Sequence, residues 1–144
     1  MTKSETFILN FRAIADASGR FTVNINIQGL KEYKKFKAFV KDFVLVSPDL
    51  ANTNLSPNII TLNSNTFRYI NNFDNAGTNR MQGLESRVLA TVSIKYPFFS
   101  NENESYFDIL PPNGAHTFWV ENFVTNTIVT LNDFFFTIVI NASE

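Results

Sequence analysis

The stretch FTVNINI, residues 21 to 27, narrows most what this chain can become. In it Phe21, Val23, Ile25 and Ile27 alternate strictly with Thr22, Asn24 and Asn26. A period of two sends the apolar side chains to one face and the polar ones to the other, which is a strand with one buried side. A helix would scatter the same residues around its axis, because its faces repeat every 3.6 residues. The alternation returns in RVLATVSIKY, where Val88, Ala90, Val92, Ile94 and Tyr96 oppose Arg87, Thr91, Ser93 and Lys95. Strands with one wet face belong to antiparallel sheets that cover a core on one side only.

The rest of the chain reads as further strands and turns. TFILNFRAI is rich in β-branched and aromatic residues, and Asp16 to Arg20 supplies a turn through Asp, Ser and Gly19. These two strands are expected as a hairpin or as consecutive strands. Residues 30 to 46 fit either period, since Leu30, Tyr33, Phe36, Val40 and Phe43 have helical spacing while Phe36, Ala38, Val40, Val44 and Val46 suit a strand. The β-branched VLV end and the stop at Ser47 and Pro48 favour a turn at Lys31 to Lys34 followed by a strand from Lys35 to Val46. Short strands are expected at Ile59 to Leu62 and Thr66 to Ile70, and a long polar connection from Asn71 to Gly83. YFDIL stops at Pro111 and Pro112, the Asn113-Gly114 turn introduces HTFWVEN, and TNTIVTLND and FFFTIVI follow. About nine strand candidates with no βαβ alternation point to an all-β fold, an antiparallel β-sandwich or barrel forming one domain over residues 1–144.

Composition bounds the function. At 144 residues, 44% hydrophobic and 17% charged, with sixteen Phe, the chain can build one core and is not a disordered segment. Twelve basic against thirteen acidic side chains give no global field, so nucleic acid is not an expected partner. The absence of Cys excludes a disulfide framework, a thiolate metal site and a Cys nucleophile. The opening MTKSETFILNF carries Glu5 and no long apolar core, which argues against a secretory signal and for synthesis in the cytoplasm. No apolar run reaches the roughly 18 to 20 residues of a spanning helix.

Candidate chemistry is sparse, and no phosphate loop, zinc helix, nucleophile elbow or dinucleotide turn occurs. His116 is the one imidazole, and an ordinary hydrogen-bonding role outweighs general base. Glu102, Glu104 and Asp108 form the nearest group of acids, yet Glu102 and Glu104 sit in a polar loop that suits solvated charge better than glycoside hydrolysis. Asn71, Asn72, Asp74 and Asn75 could offer oxygens to calcium, but a single carboxylate fits an Asx turn better, so neither metal nor cofactor is expected. Lys31, Lys34, Lys35, Lys37 and Lys41 make a basic stripe, with Tyr33 and Phe36 among them read as core contacts. Three glycosylation-type triplets, at Asn54, Asn103 and Asn141, match chance for this composition. Trp119, Tyr96 and Tyr106 keep a lectin-like, carbohydrate-binding reading open, although Trp119 is expected between sheets.

The closing strand from Asp133 to Ile140 is apolar on both faces, which makes Phe134, Phe135, Phe136, Ile138 and Ile140 the candidate subunit interface, with cover from the chain itself as the alternative. The succession FTVNINI, FKAFVKDFVLV, RVLATVSIK, YFDILPPNG, TFWVEN and LNDFFFTIVI resembles the single jelly-roll capsid proteins of large double-stranded DNA viruses and their relatives, among them penton and minor capsid subunits. The Pro-Pro-Asn-Gly turn and the Asn132-Asp133 turn before the last apolar strand are similar to their closing hairpins. The resemblance implies a single jelly roll of about eight strands. It also implies a non-enzymatic capsid component of the virion, whose partners are other capsid proteins and copies of itself, a pentamer among the options. A lectin-like module or a virion attachment protein is the alternative.

Overall fold

The computed structural model describes residues 3–13, 19–46, 59–64, 66, 88–93, 98–100, 106–123, 127–129 and 133–144. Among the described residues ten strands run in chain order: β1 Ser4–Ala13, β2 Arg20–Ile25, β3 Lys35–Val46, β4 Ile59–Ser64, β5 Val88–Ser93, β6 Phe98–Ser100, β7 Phe107–Asp108, β8 Gly114–Asn122, β9 Thr127–Ile128 and β10 Asp133–Ser143. A single 3-10 turn, Leu30–Glu32, precedes β3 and starts at Gly29, whose φ of 80° lies in the left-handed region that glycine enters without a Cβ penalty. The ambiguous segment is therefore a turn and a strand.

The strands form two antiparallel sheets. One has the order β1-β10-β3-β6 with β7 also on β3, and the other has the order β2-β8-β4-β5 with β9 on β8. The pairing is nested: β1 with β10, β2 with β8, β3 with β6 and β7, and β4 with β5. Strands β1 and β2 are consecutive but lie in different sheets, so they are not a hairpin.

The sheets face each other through aromatic rings, giving a sandwich-like, all-β molecule. Phe118 of β8 lies 4.7 Å from Phe136 of β10 and 5.7 Å from Phe11 of β1, and Phe21 of β2 meets Phe11 edge-on at 6.2 Å. Around this cluster the core is built from apolar inward residues, Phe36, Ala38, Val40, Phe43 and Leu45 on β3, Ile60 and Leu62 on β4, and Phe134, Phe136, Ile138 and Ile140 on β10, while Ser64, His116 and Asn122 are buried polar residues toward strand ends. On β3 the inward parity changes between Val40 and Phe43. The register against β10 shifts beside Thr137 and Ile138, and the extra residue keeps both halves of the strand facing the core.

Several boundaries depart from the sequence pattern. The alternation of FTVNINI runs to Ile27, but β2 ends at Ile25, opposite Gly114. Beyond that point the side chain of Asn113 takes the place of a strand: its Oδ1 accepts from the Ile27 amide at 2.9 Å, and its Nδ2 donates to the Ile27 carbonyl at 3.1 Å. The last strand continues past Ile140 to Ser143 because β1 and β3 flank it along its full length. The strand expected at Thr66 to Ile70 lies, apart from Thr66, outside the described residues, as does the long connection from 71 to 83.

Candidate functional site

The outward faces of the two sheets differ in chemistry. On the second sheet, small polar side chains bond one another: the Thr22 and Thr117 hydroxyls are 3.0 Å apart, and Asn63 Nδ2 donates to Thr61 Oγ1 at 2.8 Å. On the first sheet, strand register arranges the outward residues in rows that cross the strands. Thr6 lies beside Asn141 and Lys37, and Asn10 beside Thr137 and Asp42. These are polar rows, tied by a Thr137 hydroxyl that donates to Asn10 Oδ1 at 2.8 Å.

Between them run apolar rows. One joins Ile8, Val139 and Phe39, with the Tyr106 ring edge-on to Phe39 at 4.7 Å. The next joins Arg12, Phe135, Val44 and Phe98, with the Arg12 guanidinium 5.3 Å from the centre of the Phe135 ring. Four large apolar side chains of this face stay in water, Ile8 and Phe98 at 59% exposure, Phe135 at 38% and Tyr106 at 37%. These exposed side chains lie in two rows, parted by the polar row of Asn10, Thr137 and Asp42, and Val139 and Phe39 of the first row are themselves buried.

The five residues of the closing strand named above separate into two environments. Phe134, Phe136, Ile138 and Ile140 are inside the intersheet core, and of the five only Phe135 reaches the surface. The reason is position: β10 is interior to its sheet, and its alternate side chains are taken up by the opposite sheet. Sequence reasoning missed Ile8, which is off the inward parity of Phe7, Leu9 and Phe11 and shares a face with Thr6 and Asn10. That mismatch was the available signal.

His116 is buried at the end of the sandwich. Its Nε2–H donates to the Pro112 carbonyl at 2.6 Å, and its Nδ1 sits 2.9 Å from the Thr66 hydroxyl. Both ring nitrogens thus hold protein groups, and the imidazole ties the turn before β8 to the residues after β4. Trp119 departs from its expected place between the sheets. Phe118 and Val120 take the inward positions of β8, so Trp119 faces outward on the second sheet, where its Nε1–H donates to Glu121 at 3.2 Å and the Arg20 guanidinium lies 5.4 Å from the centre of its ring. It is nonetheless buried.

All five lysines of the basic stripe are exposed, while Tyr33 and Phe36 are buried. Lys34, Lys35 and Lys37 line an open cleft of about 440 Å3 with Phe36, Ile109 and Asp108, the acid that pairs in register with Lys37. The Tyr33 hydroxyl donates to Glu5 at 2.9 Å, and that bond, aided by burial, raises the phenol pKa above its ordinary value. Lys3 and Glu32 form an exposed ion pair beside it, which raises the lysine pKa and lowers that of the acid. Glu102, Glu104, Asn71, Asn72, Asp74, Asn75 and Tyr96 lie outside the described residues. Among the described residues no three His, Asp or Glu side chains converge as metal ligands.

Fold and surface together define a two-sheet, all-β protein whose first sheet exposes several large apolar side chains among polar rows on its outward face. No family profile, no curated protein and no solved structure matches the chain. Among the described residues no helix is long and apolar enough to cross a membrane.

Proposed function

We propose that this chain is a structural virion protein, a single jelly-roll subunit of penton or minor capsid type that joins an icosahedral shell through protein contacts. The observation that carries the reading is the nested pairing of β1 with β10, β2 with β8, β3 with β6 and β7, and β4 with β5. A long antiparallel hairpin rolled on itself produces that order, and double-sheet jelly rolls of eight strands serve in viral capsids. The exposed Ile8, Phe98, Phe135 and Tyr106 on the outward face of the first sheet support the second half of the reading, because a shell subunit buries such side chains against its neighbours.

The reading is non-enzymatic. His116, the chain's single imidazole, spends both ring nitrogens on holding the fold, which supports a structural role for it. The lectin-like alternative loses its best stacking ring, since Trp119 is buried and its indole N–H is engaged by Glu121.

Light scattering on the purified chain across concentration tests the proposal. A defined oligomer that persists in high salt is expected, because apolar contacts are not screened by ions. Phe135→Asp and Phe98→Asp should dissociate it while the circular dichroism of the fold is retained. Ile138→Asp is the contrasting variant and should unfold the chain, since it places a carboxylate in the core. A strict monomer at every concentration would overturn self-assembly.

A further inference from the structure

We infer that β1 is a self-complementary edge through which two copies of this chain pair antiparallel about a twofold axis at Ile8. Among the described residues β1 has one hydrogen-bonded neighbour, β10, so its other side presents a row of backbone donors and acceptors. The opposite edge of the same sheet is broken into two short strands of three and two residues. Both edges of the second sheet, β2 and β5, are six residues long. Strand β1 has ten residues.

Exposed edges are normally blunted by Pro, by bulges or by lysines along the strand. Strand β1, SETFILNFRA, holds no Pro, bulge or lysine, its two charges, Glu5 and Arg12, stand toward its ends, and its register with β10 runs unshifted from Ser4 opposite Ser143 to Ala13 opposite Phe134. It is straight enough to accept another strand along its whole length.

The occupant follows from the strand's own sequence. A twofold axis perpendicular to the sheet keeps outward residues on the outward face. With the axis at Ile8, close to the strand's midpoint, Ile8 meets Ile8 of the second copy, Thr6 meets Asn10, Ser4 meets Arg12 and Phe7 meets Leu9. The apolar pairs, Ile8 with Ile8 and Phe7 with Leu9, thus lie at the centre, Glu5 meets Phe11 toward each end, and no like charges stand opposite each other. Glu5 and Arg12 of the two copies fall on opposite faces of the joined sheet, with Glu5 held by Tyr33 and Arg12 over Phe135 of its own copy, so neither charge is buried against the other strand. The row of Ile8, Val139 and Phe39 would continue into the same row of the second copy, and the 59% exposure of Ile8 would be lost there.

The pairing is independent of the shell reading, and different results decide the two. Because the chain has no cysteine, Ile8→Cys creates one thiol at the axis. Directly opposed residues of an antiparallel pair have Cβ atoms about 4.5 to 5.5 Å apart, within about 1 Å of the roughly 3.5 to 4.5 Å that a disulfide spans, so a small shift of the docked pair closes the bond. Under mild oxidation at low micromolar protein, Ile8→Cys is expected to form a covalent dimer at least about tenfold faster than Asn24→Cys on β2, since a docked pair raises the effective thiol concentration. Mixing Thr6→Cys with Asn10→Cys should give a mixed dimer faster than either variant alone. It also serves as the test if Ile8→Cys does not fold. Equal rates for the edge and control variants, or no preference in the mixture, would overturn the inference. An oligomer that forms without these cross-links would overturn it while leaving the shell reading standing.

Discussion

Phe118 brings the second sheet into the intersheet ring cluster, meeting Phe11, Phe21 and Phe136 from the centre of β8. Removing its ring would open a cavity between two sheets that are each held by backbone ladders and cannot collapse inward. Phe118→Ala is therefore expected to cost about 3 to 5 kcal/mol, read as a lowered denaturant midpoint. A loss well under 1 kcal/mol would mean that the cluster is not the centre of the core. Asn113 illustrates a different residue-scale device. Its amide supplies both a donor and an acceptor to Ile27, and so finishes a sheet edge where the backbone has already turned away toward Pro112. Nothing in the spacing of FTVNINI foretells this, because alternation records which face is buried and not where the neighbouring strand ends.

At the scale of elements, the 3-10 turn is fastened to β1 by Tyr33 and Glu5 and to β10 by the Lys34 amide, which donates to the Ser143 carbonyl at 3.0 Å. The raised pKa of Tyr33 means that the folded chain holds the phenolic proton more tightly than the unfolded chain. Its stabilising contribution is complete below the ordinary tyrosine value, about 10, and is lost as pH rises through the higher folded value. Stability measured by urea unfolding should fall above about pH 10, and Tyr33→Phe should flatten that part of the profile. An unchanged profile in the variant would assign the fall to other groups. Element type was legible in the chain where burial is one-sided. The strand from Lys35 to Val46, the turn before it and the strands around Val23 and Val92 follow directly from their periods. Sheet membership was not legible, since alternation says nothing about which strand lies alongside. For that reason the apolar closing strand read as a candidate surface, although two flanking strands make most of it core. Its outward residue Phe135 and the off-parity Ile8 became visible as one surface only through the register of β1, β10 and β3.

At the scale of the molecule, most steps from one described strand to the next change sheets, and among the described residues only β4 with β5 and β8 with β9 are paired neighbours in sequence. Native order is thus dominated by contacts between distant segments, whose loop entropy is lost before any packing is gained. Refolding followed by the fluorescence of Trp119 is expected on a time scale of roughly milliseconds to seconds, as in other all-β sandwiches, and microsecond refolding would contradict it. The nested order also sets a schedule for synthesis. The second sheet has all its long strands by Asn122, whereas β1, made near the beginning, has its partner between Asp133 and Ser143. At about 5 to 20 residues per second, β1 waits on the order of ten seconds on the ribosome with both of its edges unpaired. During that interval a nascent neighbour on the same messenger offers it a strand of identical sequence, so the moment of translation, before the first sheet closes, is when this chain is most open to joining its own kind.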